Sequence, residues 1–240
     1  MIITKGTGTI KVTIVCCLHG DEIFGKKFFD YYTSKIDKYP ELKLILANTK
    51  ALKQKTRYIE EDLNRCFPGN STGNYEERLA SRMINAIGNP EYLIDIHTTT
   101  SDTLTTPIIT NIDIKTKQIL NLTDFGTIIY MVKEMAKHSL IGQYEIGVSF
   151  ETGIKYSKTP ESFQEIKAVI EGLLSGKKQT PISRTILKVS ETISNDVILP
   201  INAKNLELIE ELGFYPFLIG EDTYTEFQGF AGRYHKTELI

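Results

Sequence analysis

Cysteine is scarce in this chain, neither charge is in large excess, and no long apolar run occurs. The three cysteines, Cys16, Cys17 and Cys66, are an odd set with two adjacent thiols, which makes a poor disulfide framework. A reducing, cytoplasmic setting is therefore the expectation. The formal net charge of −2 leaves no global basic field to attract nucleic acid or an anionic lipid surface. No apolar stretch reaches the ~18 residues needed to span a bilayer. The opening "MIITKGTGTIKVTIVCC" lacks a basic start followed by a long apolar block, so it does not read as a signal peptide. Neither a nucleic acid nor a membrane is expected as a partner. Internal repeats and low-complexity segments are also missing.

What remains is the composition of an ordinary globular protein, 41% apolar and 24% charged. A chain of 240 residues holds one substantial core, or a larger domain beside a small one. Residues 10–17, 42–48 and 91–97 read as strands, and 105–110, 127–132 and 144–151 as further ones. Cys16 and Cys17, in the first strand, are expected on opposite faces of the sheet as buried small residues rather than metal ligands. Helical spacing of Ile23, Phe24, Phe28, Tyr31 and Tyr32 predicts a helix after residue 21. "NYEERLASRMINAIG" and "ESFQEIKAVIEGLLSGK" read as two more, stopped at Gly88 and Gly176. Residues 49–73 read as one long loop, of the kind that is often functional. Alternating strands and helices predict an α/β domain with a mixed, mostly parallel sheet flanked by helices. After about residue 180 the pattern changes to short strands with polar breaks. The expected division is an α/β domain over 1–178 and a small β-rich C-terminal domain over 179–240.

The stretch "VTIVCCLHGDE" runs a buried strand straight into His19-Gly20-Asp21-Glu22. "EYLIDIH" ends a second strand in His97. Strands that end on one edge of a parallel sheet put their last residues at one rim, so His19 and His97 can meet there. Glu22, one helical turn after His19, can point to the same side. Two histidines and a carboxylate leave a fourth position open, which is the catalytic zinc pattern. The bland reading stands beside it. A strand-terminal histidine is often just a satisfied polar residue, and a glutamate early in a helix complements the helix dipole. The loop "KTRYIEEDLNRCFPGN" is open in the same way. Mixed charge is normally a solvated surface, yet neighbouring Asn64 and Arg65 suit recognition of a carboxylate.

Together these motifs closely resemble the succinylglutamate desuccinylase/aspartoacylase family, which is similar in fold and site to the zinc carboxypeptidases. The resemblance rests on His19-Gly20-Asp21-Glu22, on Arg57 and "DLNRCFPG", on Asp95-Ile96-His97-Thr98, on Glu151 in "VSFETG", and on "YPFLIGEDTY". It implies one zinc ion per chain held by His19, Glu22 and His97. It implies Glu151 as the group that activates water and later protonates the leaving amine, with Arg57 stabilising the oxyanion. Asn64 and Arg65 would hold a substrate carboxylate, Tyr224 would close over the substrate, and Asp62 would support the first histidine. Asp95 is left open between support of His97 and pairing within the core. The arginine shared by aspartoacylases shortly before the catalytic glutamate has no counterpart in "EMAKHSLIGQYEIGVSFE", where Lys137 and His138 are the nearest candidates. The resemblance therefore does not carry N-acetylaspartate or succinylglutamate specificity onto this chain. His138 as a ligand is not expected, and His235 reads as a surface residue.

The resulting expectation is a zinc-dependent hydrolase cleaving an amide, or an ester, of a small carboxylate-bearing N-acyl compound. The rivals are a metallocarboxypeptidase acting on short peptides or cell-wall fragments, and a metal-binding protein without turnover. Oligomeric state is not legible.

Overall fold

The computed structural model describes residues 1–122, 124–177 and 182–239. Among these residues, ten strands form one mixed sheet: β1 (Ile2–Lys5), β2 (Val12–Cys16), β3 (Leu42–Leu46), β4 (Tyr92–Thr99), β5 (Thr106–Ile109), β6 (Thr127–Met131), β7 (Gly147–Gly153), β8 (Ser183–Ser194), β9 (Tyr215–Phe217) and β10 (Phe227–Leu239). Six α-helices accompany them: α1 (Ile23–Thr33), α2 (Thr49–Gln54), α3 (Tyr75–Ile87), α4 (Ile114–Leu120), α5 (Lys133–Ala136) and α6 (Pro160–Ser175). The strand order is β1-β3-β2-β4-β7-β5-β6-β8-β10-β9.

The centre, β3-β2-β4-β7, is parallel throughout. Every residue of β2 is buried, as a strand covered on both faces requires. Val12, Ile14 and Cys16 join the core beneath α1, α4 and α6, while Val15 joins Ile45 and Leu93 beneath α3. The α3 stripe of Leu79, Met83 and Ile87 packs there as its spacing predicts. Asn74 and Glu77 form a capping box at the start of α3, and Gly88 at φ 65° ends it.

Several local expectations are corrected. Cys17 lies past the end of β2 with φ 56°, so it turns into the same cluster as Cys16 instead of the opposite face. Ile23 is 63% exposed, and Phe29 is buried in the α1 stripe in its place. The stretch 49–73 contains α2 and a 3-10 turn at Leu63–Arg65, because Asn48 and Asp62 cap them with their side chains. Helices α4 and α5 fall where no helix was anticipated. Beyond residue 182 two strands are long and one is short: β8 and β10 form an antiparallel pair with three register shifts, and β9 has three residues. "NLELIEEL" contributes only an isolated bridge from Ile209 to Phe214. β8 also runs parallel to β6, so the C-terminal strands extend the main sheet. The expected boundary at 178/179 lies outside the described residues.

Candidate active site

Because β2 and β4 are parallel neighbours, their carboxyl ends share a rim. His19 follows β2 by three residues, and His97 sits on β4 directly opposite Glu151 on β7. Glu22 occupies the N-cap position of α1 but makes no cap bond there. Its carboxylate turns inward instead and accepts from the Thr98 amide at 3.0 Å. The turn that carries His19 and Glu22 is held close to α2. Gly20 donates to the Arg57 carbonyl at 3.0 Å, and a Cβ at residue 20 would lie 2.2 Å from the Ala51 carbonyl carbon. Glycine is what this approach permits.

His19, Glu22 and His97 are buried, with one potential ligand atom of each within 4.8 Å of the others. The two rings, tilted 55° to each other, meet the same pattern of partners. His19 Nδ1 faces Glu22 Oε1 at 2.5 Å while its Nε2 faces Asp62 Oδ1 at 2.9 Å. His97 Nδ1 faces Glu22 Oε2 at 3.1 Å while its Nε2 faces Asp95 Oδ2 at 2.8 Å. An aspartate that accepts the Nε2 proton leaves the Nδ1 lone pair aimed at the Glu22 carboxylate. Two such electron-rich atoms at this distance need a proton or a cation between them. Two imidazoles and a carboxylate, each imidazole oriented by a second carboxylate, are a donor set that fits zinc. Burial opposes charge on the rings, but Glu22 and Asp62 raise the His19 pKa, and Asp95 and Glu22 raise that of His97. Burial likewise opposes charge on Glu22, and the histidines hold its carboxyl well below the ordinary range.

Arg57 is clamped to the same group. Its Nε and Nη2 donate to Asp62 Oδ2 at 3.2 and 3.1 Å, and its Nη1 reaches Glu22 Oε1 at 3.4 Å. Asn64 ties the loop to the other wall by accepting from the Leu140 amide at 2.9 Å. His19, Glu22, Arg57, Asn64, Arg65, His97, Glu151 and Tyr224 all line one cavity of about 200 Å³. Burial, reinforced by the Glu22 and Glu221 carboxylates, pushes Glu151 up to about 8 despite the histidines nearby. The Tyr224 ring lies tilted against Phe227 with centroids 4.5 Å apart, and burial raises its phenol above the ordinary range.

Lys137 and His138, the nearest sequence candidates for the missing arginine, do not line the cavity. His138 Nδ1 donates to the Phe67 carbonyl at 3.1 Å. His235 is exposed. Asp95, open on sequence grounds, contacts His97 as Asp62 contacts His19.

Two residues escaped sequence reading. Glu76 is wholly buried, and its carboxylate accepts from Asn48 Nδ2 and from the amides of Ile59, Glu60 and Glu61 at 2.8–3.3 Å. It thereby pins the loop that presents Arg57 and Asp62. In sequence it looks like any acidic residue in a first helical turn. Glu221 accepts from the Thr100 amide at 2.8 Å and from the hydroxyls of Thr99 and Thr223, joining the end of β4 to the C-terminal strands.

The chain has known relatives in both sequence and fold. Residues 8–176 match the succinylglutamate desuccinylase/aspartoacylase catalytic domain, and the chain belongs to that family. It is 35% identical over 119 residues to a protein of Trichodesmium erythraeum named "Probable aspartoacylase", covering 42% of this chain and 39% of that one. A protein of the same name from Nostoc sp. is 28% identical over 217 residues, covering 80% of this chain and 68% of that one. In fold the chain is similar to the succinylglutamate desuccinylase of Chromobacterium violaceum, with TM-score 0.76, 15% identity and coverage of 96% and 86%. Murine aminoacylase 3 superposes with TM-score 0.70 and 16% identity over 97% and 99%. Among the described residues no helix is long and apolar enough to cross a membrane.

Proposed function

We propose that this chain is a zinc-dependent deacylase that hydrolyses the amide, or ester, of a small carboxylate-bearing N-acyl compound. Residues 1–178 would form the hydrolase unit and 179–240 a small β-rich domain that completes the cavity. The observation that carries the reading is the convergence of a metal-type donor set, Glu151, Arg57 and Arg65 on one cavity. His19, Glu22 and His97 would hold one zinc ion, with Asp62 and Asp95 fixing the rings. When bound, zinc polarises the acyl carbonyl and makes water more acidic. Glu151 takes a proton from the attacking water and returns it to the leaving amine, a task suited to a carboxyl whose pKa lies near neutrality. Arg57 places its guanidinium at the developing oxyanion. Asn64 and Arg65 anchor the substrate carboxylate, and Tyr224 covers the bound substrate. The three free, buried cysteines support a reducing, cytoplasmic setting.

The test is Glu151→Gln with zinc content and turnover measured together. The variant is expected to keep its zinc and lose most activity. Unchanged turnover would remove Glu151 from the mechanism. The metallocarboxypeptidase reading has the same donor set, and short peptides run beside N-acyl amino acids separate the two.

A further inference from the structure

The far wall of the cavity is apolar. Ile108, Met131, Met135, Leu218, Phe227 and Phe230 line it, and all six belong to one hydrophobic cluster built by β5, β6 and the C-terminal strands. Among the described residues, the only arginines or lysines lining the cavity are Arg57 and Arg65. Arg57 is already engaged by Asp62 and Glu22. That leaves one guanidinium, Arg65, for a substrate carboxylate. The other carboxyl groups on the walls are Glu22, Glu151 and Glu221, and the Tyr224 amide donates to the Glu221 carbonyl at 3.1 Å, which sets Glu221 beside a ring packed on the same apolar cluster.

Resting on the deacylase reading above, we propose that this enzyme selects substrates with one carboxylate and one apolar group, and rejects dicarboxylates. A second carboxylate placed against this wall would lose its water without gaining a cation, and would meet the Glu221 charge. A methionine-like, leucine-like or aromatic group instead exchanges water for the side chains of the wall. Met131 and Met135, unbranched and polarisable, adapt to such groups of differing shape.

The apolar group can belong to the amine or to the acyl half, and the assay distinguishes them. Zinc-loaded protein is given N-acetylmethionine, N-hexanoylglycine, N-acetylaspartate and N-succinylglutamate, and kcat/KM is measured for each. At least one of the first two is expected to exceed both N-acetylaspartate, with two carboxylates, and N-succinylglutamate, with three, by roughly tenfold or more, the scale on which an apolar pocket discriminates. N-acetylmethionine leading assigns the wall to the amine half, and N-hexanoylglycine leading assigns it to the acyl half. N-acetylaspartate or N-succinylglutamate equal or better would overturn the proposal and leave the deacylase standing. Hydrolysis of none of the four by zinc-loaded protein would overturn the deacylase reading, and the proposal with it. Met135→Lys puts a cation on the half-buried wall and is expected to move the ratio toward N-acetylaspartate by about tenfold. Met131→Lys, on a different element, is the independent second variant. Ratios unchanged in both folded variants would also overturn the proposal.

Discussion

The parallel strands β2, β4 and β7 and the C-terminal strands β8 to β10 reach the same cavity with different material. From the parallel side come His19, His97 and Glu151, each at or just past a carboxyl end, backed by aspartates and by the Arg57 loop. From the other side come Phe227, Phe230 and Leu218, with Thr192 the one contribution of β8. The first region spends its burial on charges that satisfy one another. The second spends it on apolar contact. The proposed chemistry therefore sits on the part of the fold whose strand ends are fixed by sheet topology. The proposed selectivity sits on an apolar wall shared by β5, β6, α5 and β10, and the β8–β10 pair behind it carries three register shifts that re-aim side chains locally.

Breaking the charged side should have the largest effect. His97→Ala removes a central donor, and elemental analysis is expected to fall from about one zinc per chain to well below that, with activity lost. Retained zinc would move the metal elsewhere. Glu151→Gln comes next, with zinc kept and kcat lowered by about 10²- to 10⁴-fold, read by steady-state kinetics. Glu76→Gln sharpens the comparison from outside the cavity. The new amide cannot accept from all the amides that Glu76 now satisfies, so thermal or urea unfolding should show a loss of about 1–3 kcal/mol. Its kcat should drop while its zinc stays, because the loop bearing Arg57 and Asp62 loosens.

Arg65→Lys should act on binding, raising KM by roughly tenfold, about 1.4 kcal/mol, with kcat little changed, because a lysine cannot make the bidentate contact. The smallest effect is a slope. Burial works against the Glu221 charge, but bonds from Thr99, Thr223 and Thr100 outweigh it and lower its pKa below 4.5. Such a group contributes stability that is present above its ordinary pKa and is lost as pH falls through the depressed one. Melting temperature below pH ~4.5 should therefore fall more steeply in the wild type than in Glu221→Gln. Parallel slopes would show that the link between the two regions does not depend on this charge.

The charged region was far more legible in sequence than the apolar one. His19, Glu22 and His97 stood at strand ends and helix starts, where periodicity breaks and chemistry-bearing residues are conspicuous. The central strands were read within a few residues for the same reason. Phe227 and Phe230 looked like pieces of short strands, since nothing local says that β8 and β10 are long partners or which cavity they border. Helix α2 hid inside a presumed loop because its start depends on one Asn48 cap rather than on an apolar stripe. Glu76 was invisible because its partners are backbone amides some 15 positions away, and main-chain donors carry no sequence signature.

The Glu76 pin has a consequence for how the protein breathes. Its carboxylate joins three loop amides to the first turn of α3, whose capping box closes the same turn. These groups should open together as one cooperative unit. Deuterium uptake at Ile59, Glu60 and Glu61 would then rise and fall with uptake at the start of α3. Any ligand that steadies Arg57 and Asp62 should slow exchange in that helix, far from any atom it touches.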